Sequence, residues 1–303
     1  MNIDIAICTW NRASLLRDTL RSIANVSIPT GVFVRTIVVD NNSTDKTVQV
    51  VKDIATDAKH HDNSSQFFIE LFTEPNQGHT FSRNRAVAVA DSDLMLWTDD
   101  DVIVDPNWVH AYLAAAENSQ EVFWGGKIVP KFDPEKPAWI SENWVNLKGC
   151  FAARDLGNQP IALTSDRLPY GANYAIRTEI QKQYLYDNQL GRRKNILLGE
   201  DEIDLFRRLL AAGYAGSWVP ESRLEHVITG DRASENYVRK YFIGQGRALV
   251  ARGESWSQSR RKLFWQAVYE FAVYRFKRQW AKSPAWVAHL IRSGLAEGQY
   301  SAI

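Results

Sequence analysis

Between Leu94 and Trp108 the chain reads LMLWTDDDVIVDPNW. An apolar run ending at Trp97 leads straight into Asp99, Asp100 and Asp101, and the chain then turns apolar again. Neighbouring carboxylates repel and raise one another's proton affinity, so three in a row need something to offset their charge. Asp-x-Asp spacing on a turn can aim two side chains at one hard cation. Mg²⁺ and Mn²⁺ accept oxygen ligands, and Mg²⁺ is commonly held by one or two carboxylates together with substrate phosphates. The chemistry this predicts is a metal-bound diphosphate. Acids capping a turn ahead of the next helix are the plainer alternative.

Other residue types could do chemistry nearby. Glu200 and Asp201 follow Ile196, Leu197 and Leu198 in ILLGED. Apolar neighbours raise a carboxylate's pKa and suit it to proton abstraction. A helix N-terminus, whose dipole stabilises acids, accounts for the same pair. Arg83 offers a guanidinium fork suited to a phosphate or a base edge, although a solvated helix residue explains it as well. His226 closes SRLEHV, and a lone histidine is ordinarily a packed or surface residue. His60, His61, His79, His110 and His289 carry no spacing signal.

These side chains need a frame, and the sequence supplies one by alternation. Ile3 to Cys8, Val32 to Val39, Phe67 to Phe72, Leu94 to Thr98 and Glu121 to Val129 read as strands. Helical spacing lies between them, from Asn11 to Ile23, Thr44 to Ala55 and Phe81 to Ala90, with Asn41-Asn42-Ser43 as the expected cap of the second. Asp105-Pro106 is expected to open the next helix. The prediction is an α/β fold, a Rossmann-like and mostly parallel central sheet with helices on both faces. Ligands of such sheets bind outside the carboxyl ends of the strands. Thr9, Asp40 and the Asp99–Asp101 trio all fall there. Pro130 to Pro169 reads as a long binding loop or lid. A helix from Glu200 to Ala212 and strands around Trp218 and Glu225 to Ile228 follow.

Composition narrows the classes. A chain of 303 residues can bury a sizeable core. A net charge of +1 gives no general pull toward nucleic acid. The N-terminus lacks a basic, then apolar, leader pattern, and no apolar stretch is long enough to span a membrane. Cys8 and Cys150, far apart in the chain, read as reduced thiols of a cytoplasmic-type compartment. The expected location is cytoplasmic, with the inner face of a membrane as an option. The 11 Trp residues suit sugar faces or interfaces as well as core.

Taken in order, ICTWNR, VVDNNSTDKT, EPNQGHTFSRNRA and WTDDDV resemble the nucleotide-sugar domain of a family 2 glycosyltransferase with the GT-A fold. GANYAIR, GEDEIDLFRRLLAAGY and WVPESRLEHV resemble that family's acceptor half, so the likeness covers Ile3 to Val227. The resemblance implies a catalytic domain over 1–230, divided into a nucleotide-sugar half (1–127) and an acceptor half (128–230), with a C-terminal helical extension over 231–303. It implies an inverting transfer from a UDP- or GDP-linked sugar to a hydroxyl of a glycan or lipid-linked saccharide, as in surface polysaccharide synthesis. Asp101 would hold Mn²⁺ or Mg²⁺, with His226 completing the metal site. Asp99, with Asp100 beside it, and Thr9, Arg12, Asp40, Arg83 and Asn84 would line the nucleotide crevice. Gly126 and Asn173 would approach the donor sugar. Asp201 would be the base, and Glu200 a neighbouring acceptor ligand.

Two other classes stay open on the residues alone. An apolar strand followed by Asp99-x-Asp101 also begins aspartate-nucleophile phosphohydrolases, although those carry the motif on their first strand and here three strands precede it. A non-catalytic carbohydrate binder would explain the tryptophans. At the C-terminus, Arg260 to Lys282 interleaves seven cations and seven aromatic rings with one acid, Glu270. Such a segment fits either peripheral contact with an anionic membrane through 257–303 or a helix packed on the domain.

Overall fold

A computed structural model describes residues 1–61, 67–191, 199, 201–253, 259–280 and 284–303. The described strands are β1 (Ile3–Thr9), β2 (Val34–Asp40), β3 (Phe67–Thr73), β4 (Leu94–Thr98), β5 (Val102–Val104), β6 (Phe123–Asp133), β7 (Asn173–Arg177) and β8 (Gly216–Thr229). The helices are α1 (Ala13–Ala24), α2 (Thr47–His61), α3 (His79–Val89), α4 (Trp108–Glu117), α5 (Ala138–Glu142), α6 (Trp144–Leu147), α7 (Thr178–Gln183), α8 (Asp201–Ala211), α9 (Glu235–Ala251), α10 (Arg260–Trp280) and α11 (Trp286–Ala302). The chain divides into two compact units. One holds Met1–Lys131, Ala152–Leu190 and Asp201–Val227; the other includes Phe132–Phe151 and Ile228–Ile303.

The sheet runs β3-β2-β1-β4-β7-β6-β8-β5. Its first four strands are parallel, in register from Ile3 opposite Val34 to Thr9 opposite Asp40. β7 then pairs antiparallel with both β4 and β6, and β8 antiparallel with β5. Among the parallel strands β4 is a continuous apolar run, buried at every residue because both of its faces are covered. Alternation along β1 sends Ile3, Ile5 and Ile7 into one core layer with Leu16, Leu20 and Trp108. Ala6 goes into the opposite layer, with Met95, Trp97, Phe123, Tyr174 and Phe206. Trp97, Trp108, Trp124 and Trp218 are fully buried in this unit. Truncating any one to Ala would cost about 3–5 kcal/mol, so these four tryptophans serve packing, not sugar stacking.

Several local expectations change. Asp45, not the Asn41-Asn42-Ser43 run, caps α2: its Oδ1 accepts from the backbone N of Thr47 at 2.9 Å. The run is used as a turn, in which Ser43 N donates to the Asp40 carboxylate at 3.2 Å. α4 starts at Trp108, after Asp105 has accepted from the Trp108 amide at 2.9 Å. The stretch 130–169 is not structureless, since it holds α5, α6 and a 3-10 turn over Lys148–Phe151. The two strands expected near Trp218 and Glu225 are the single β8.

In the second unit α9, α10 and α11 form a bundle over Ile140, Leu147, Phe151, Val238, Tyr274, Trp286 and Leu290. Trp139 packs at 5.3 Å from Trp286, and Trp144 stacks on Phe151. α9 and α11 approach at backbone distance: a Cβ on Gly246 would lie 2.3 Å from the carbonyl of Leu295.

Candidate active site

β4 ends at Thr98, whose hydroxyl donates to the carbonyl of Ala172 at 2.9 Å. The acid trio follows in a turn whose far side is fixed by α1: the Thr19 hydroxyl donates to the carbonyl of Val102 (2.8 Å) and accepts from its amide (3.0 Å). Asp100 turns back to β1, where its Oδ2 accepts from the Thr9 hydroxyl at 2.8 Å. Asp101 faces two partners, Arg12 at 2.7 Å and His226 Nε2 at 3.1 Å. β8 delivers that histidine, since antiparallel pairing sets His226 opposite Val102 and Val227 N donates to the carbonyl of Asp101 at 2.8 Å.

One ligand atom from each of Asp99, Asp101 and His226 lies within 4.8 Å of the others. Two carboxylate oxygens and an imidazole nitrogen gathered this closely are a ligand set suited to a divalent cation. Burial, with the charges of Asp101 and Asp99, pushes Asp100 up to about 6, against the pull of Arg12 and the Thr9 hydroxyl. A cation beside the trio would relieve that repulsion.

A second cluster centres on Asp201, the first residue of α8. It is 1% exposed, in a helical first turn that also holds Glu202 and Asp204. Its Oδ2 lies 3.3 Å from Arg83 Nη1 and 3.3 Å from His79 Nδ1. None of these three atoms has a well-aligned hydrogen-bond partner among the described residues. The attraction is therefore charge at short range, with acceptor capacity left on Asp201. Arg83 is itself wedged between rings, 5.5 Å from Trp97 and 5.0 Å from Tyr186.

The two acids of α8 are pushed apart. Burial would raise Asp201, but the Arg83 charge and His79 outweigh it and hold the carboxyl well below the ordinary range. Glu202, raised by burial and by the charge of Asp201 against the pull of Arg83, moves up to about 8. Its Oε1 accepts from the amide of Gly171 at 3.2 Å, where a side chain on Gly171 would run into Arg83. The expectation that apolar neighbours raise Asp201 is thus overturned, and the raised acid is Glu202. Glu200, Ile196, Leu197 and Leu198 lie outside the described residues.

The clusters share one end of the sheet. Withdrawal from water, with Asp99, Asp100 and Asp201, pushes up the thiol of Cys8 on β1, while Arg83 pulls it down. Asp40 is buried at the end of β2 beside β1. Three expected donor contacts do not reach these clusters. Asn173 is 0% exposed, accepting from Trp108 Nε1 and Tyr112 Oη (2.8 Å each) and donating to the carbonyls of Lys127 and Ser222 (3.0 Å each), which leaves it no free polar atom. Gly126 is buried against that amide, where a Cβ would lie 2.5 Å from Asn173 Nδ2. Asn84 grips the backbone of Tyr186, donating to its carbonyl and accepting from its amide (2.9 Å each). These three brace the frame. His79 and Glu202 carry no distinguishing pattern in the sequence, because a histidine in a first turn and an acid at a helix start read alike whether solvated or buried.

Residues 4–177 match the family model described as Glycosyl transferase family 2. The chain is similar to the succinoglycan biosynthesis protein ExoM of Rhizobium meliloti (strain 1021), at 24% identity over 267 residues, or 86% of this chain and 79% of that protein. Among solved structures it is similar to the mannosyltransferase PcManGT from Pyrobaculum calidifontis in complex with GDP-Man and Mn²⁺. That TM-score is 0.58 at 14% identity, covering 98% of this chain and 84% of the other. S. aureus TarS 1-349 in complex with UDP gives 0.56 at 13% identity, covering 100% and 90%. At these identities the structural likeness shows a shared fold.

Proposed function

Because the chain belongs to glycosyl transferase family 2, we propose that it transfers a sugar, with inversion, from a UDP- or GDP-linked donor to a hydroxyl of a glycan or lipid-linked saccharide. The observation that carries this reading is the convergence of Asp99, Asp101 and His226 at the strand ends. A divalent cation held by these residues would neutralise charge growing on the departing diphosphate. Mn²⁺ and Mg²⁺ both accept carboxylates of this kind, and either ion serves this reading. Thr9, Arg12, Asp40, Asp99 and Asp100 form the nucleotide side within residues 1–127, and residues 128–230 serve the acceptor.

Asp201 is the base in this reading. It stays ionised at any working pH, and its unspent oxygen can take the acceptor proton as that hydroxyl oxygen bonds the anomeric carbon and the bond to diphosphate breaks. Arg83 and His79 position it. Similarity to ExoM supports a role in polysaccharide assembly, by analogy of sequence. A cytoplasmic site at a membrane is in keeping with two free cysteines and a lipid-linked acceptor.

The test is calorimetric titration of UDP and GDP with and without Mn²⁺. One nucleotide is expected to bind only with the metal, and Asp101→Ala to abolish that binding. Asp201→Asn is expected to keep nucleotide binding and to slow transfer by about 10²- to 10⁴-fold. Binding of neither nucleotide, or metal-independent binding, would overturn the reading.

A further inference from the structure

We propose that the outward face of α10 is a docking surface for an anionic lipid membrane. The inner face of this helix is already spent. Leu263, Glu270 and Tyr274 are buried in the bundle, and Glu270 accepts from Arg292 at 2.9 Å and pairs with His289 at 2.6 Å. At about 3.6 residues per turn, Trp265, Tyr269 and Phe276 come out on the opposite side, with Trp280 continuing the row. Trp265 is 59% exposed, Tyr269 65%, Phe276 67% and Trp280 69%. Single exposed apolar residues are ordinary, but four large exposed rings along one face of a helix mark an interaction surface.

Charge identifies the occupant. Arg261, Lys262 and Arg275 flank the rings, and Glu270, turned inward, is the only acid in the helix. Arg278 is tied to Glu235 and Arg292 to Glu270. Among the described residues the three flanking cations have no carboxylate at ion-pair distance. A second copy of the chain is the rival occupant, because spacing of i, i+4 and i+11 also serves a helix–helix seam. Two such faces would set like cations against each other, and they offer wide rings where a seam holds Leu or Ile. A bilayer interface accepts both features: Trp and Tyr rest at headgroup depth, and cations meet anionic headgroups while their stems lie along the apolar surface. Among the described residues no helix is long and apolar enough to cross a membrane, so this contact lies on the surface. It is independent of which nucleotide the strand-end site takes.

The test is sedimentation of the full chain with vesicles of phosphatidylcholine alone or mixed with phosphatidylglycerol. Binding is expected to the mixed vesicles, to weaken with added salt, and to be slight on the neutral ones. Each cation near an anionic surface strengthens binding about fivefold, so Arg261→Ala with Arg275→Ala should weaken it on the order of twentyfold. Trp265→Ser with Phe276→Ser should abolish it while circular dichroism stays as in the wild type. If the ring variant loses its fold, the arginine variant, altered only at the solvent face, carries the test. The proposal is overturned if the wild type ignores anionic vesicles or the arginine variant binds as tightly as the wild type. It is also overturned if the ring substitutions split a dimer in sedimentation velocity and leave vesicle binding unchanged.

Discussion

Arg83 Nη1 and Asp201 Oδ2 stand 3.3 Å apart with 3% and 2% of their side chains exposed. Each neutralises a charge that burial would otherwise forbid. Removing one partner of such a pair leaves the other uncompensated, at a cost of about 3–5 kcal/mol, whereas removing both is far milder. Arg83→Met is therefore expected to lower stability by about that amount, and Arg83→Met with Asp201→Asn to recover most of it. Arg83→Lys should not substitute, because an ammonium lacks the planar fork that stacks between Trp97 and Tyr186. Urea denaturation of the two single variants and the double variant measures the coupling. Strict additivity would refute it.

The neighbouring acid predicts a pH dependence with a definite sign. Glu202, pushed up to about 8 in the folded protein by burial and Asp201, has an ordinary value of about 4.3 in an unfolded chain. Between those values the folded state holds a proton that the unfolded chain has lost, so this group's contribution falls as pH rises. Asp201, held low by Arg83 and His79 against burial, works oppositely: its contribution is present above the unfolded value of about 3.9 and is lost as pH falls through the folded one. Glu202→Gln keeps an acceptor for the Gly171 amide and removes the titration. Its melting temperature relative to the wild type is expected to rise from about pH 5 to about pH 8. A constant difference across that range would show that Glu202 does not titrate there.

The sequence carried the frame further than the contacts. Leu94–Thr98 is legible as a strand because both faces are apolar, and the acids after it must then lie at a carboxyl edge. The placing of His226 beside Asp101 depends on β8 pairing with β5 in one register, which no local pattern announces. Asn173 is the instructive miss. In GANYAIR a short polar residue near a glycine reads as a ligand contact, but Trp108 and Tyr112 of α4 and Gly126 of β6 enclose it from two separate elements. Its burial is a property of their meeting. The α8 acids fail for a related reason: helix position explains why they are there, and only Arg83, arriving from α3, decides which one is ionised.

The C-terminal bundle permits a test in which sterics and helix propensity oppose each other. α11 carries Gly294 and Gly298 one turn apart, facing α9. A Cβ on Gly298 would lie 2.1 Å from the carbonyl of Ile243 and 2.9 Å from the Cα of Gly246, and these are backbone atoms that cannot rotate away. Propensity alone would make Gly298→Ala stabilising by about 1 kcal/mol in a helix interior. Separating two packed helices costs about 1–3 kcal/mol, and more for a branched side chain. Packing is expected to win, so Gly298→Ala lowers stability and Gly298→Val lowers it further. Gly149→Ala is the control, since its added Cβ would meet only the Tyr241 hydroxyl, at 3.4 Å, and a change within about 0.5 kcal/mol is expected. Thermal and urea unfolding of the three variants decides the matter. A stabilised Gly298→Ala would mean that α9 and α11 yield at this crossing and that their close approach is not what holds the bundle.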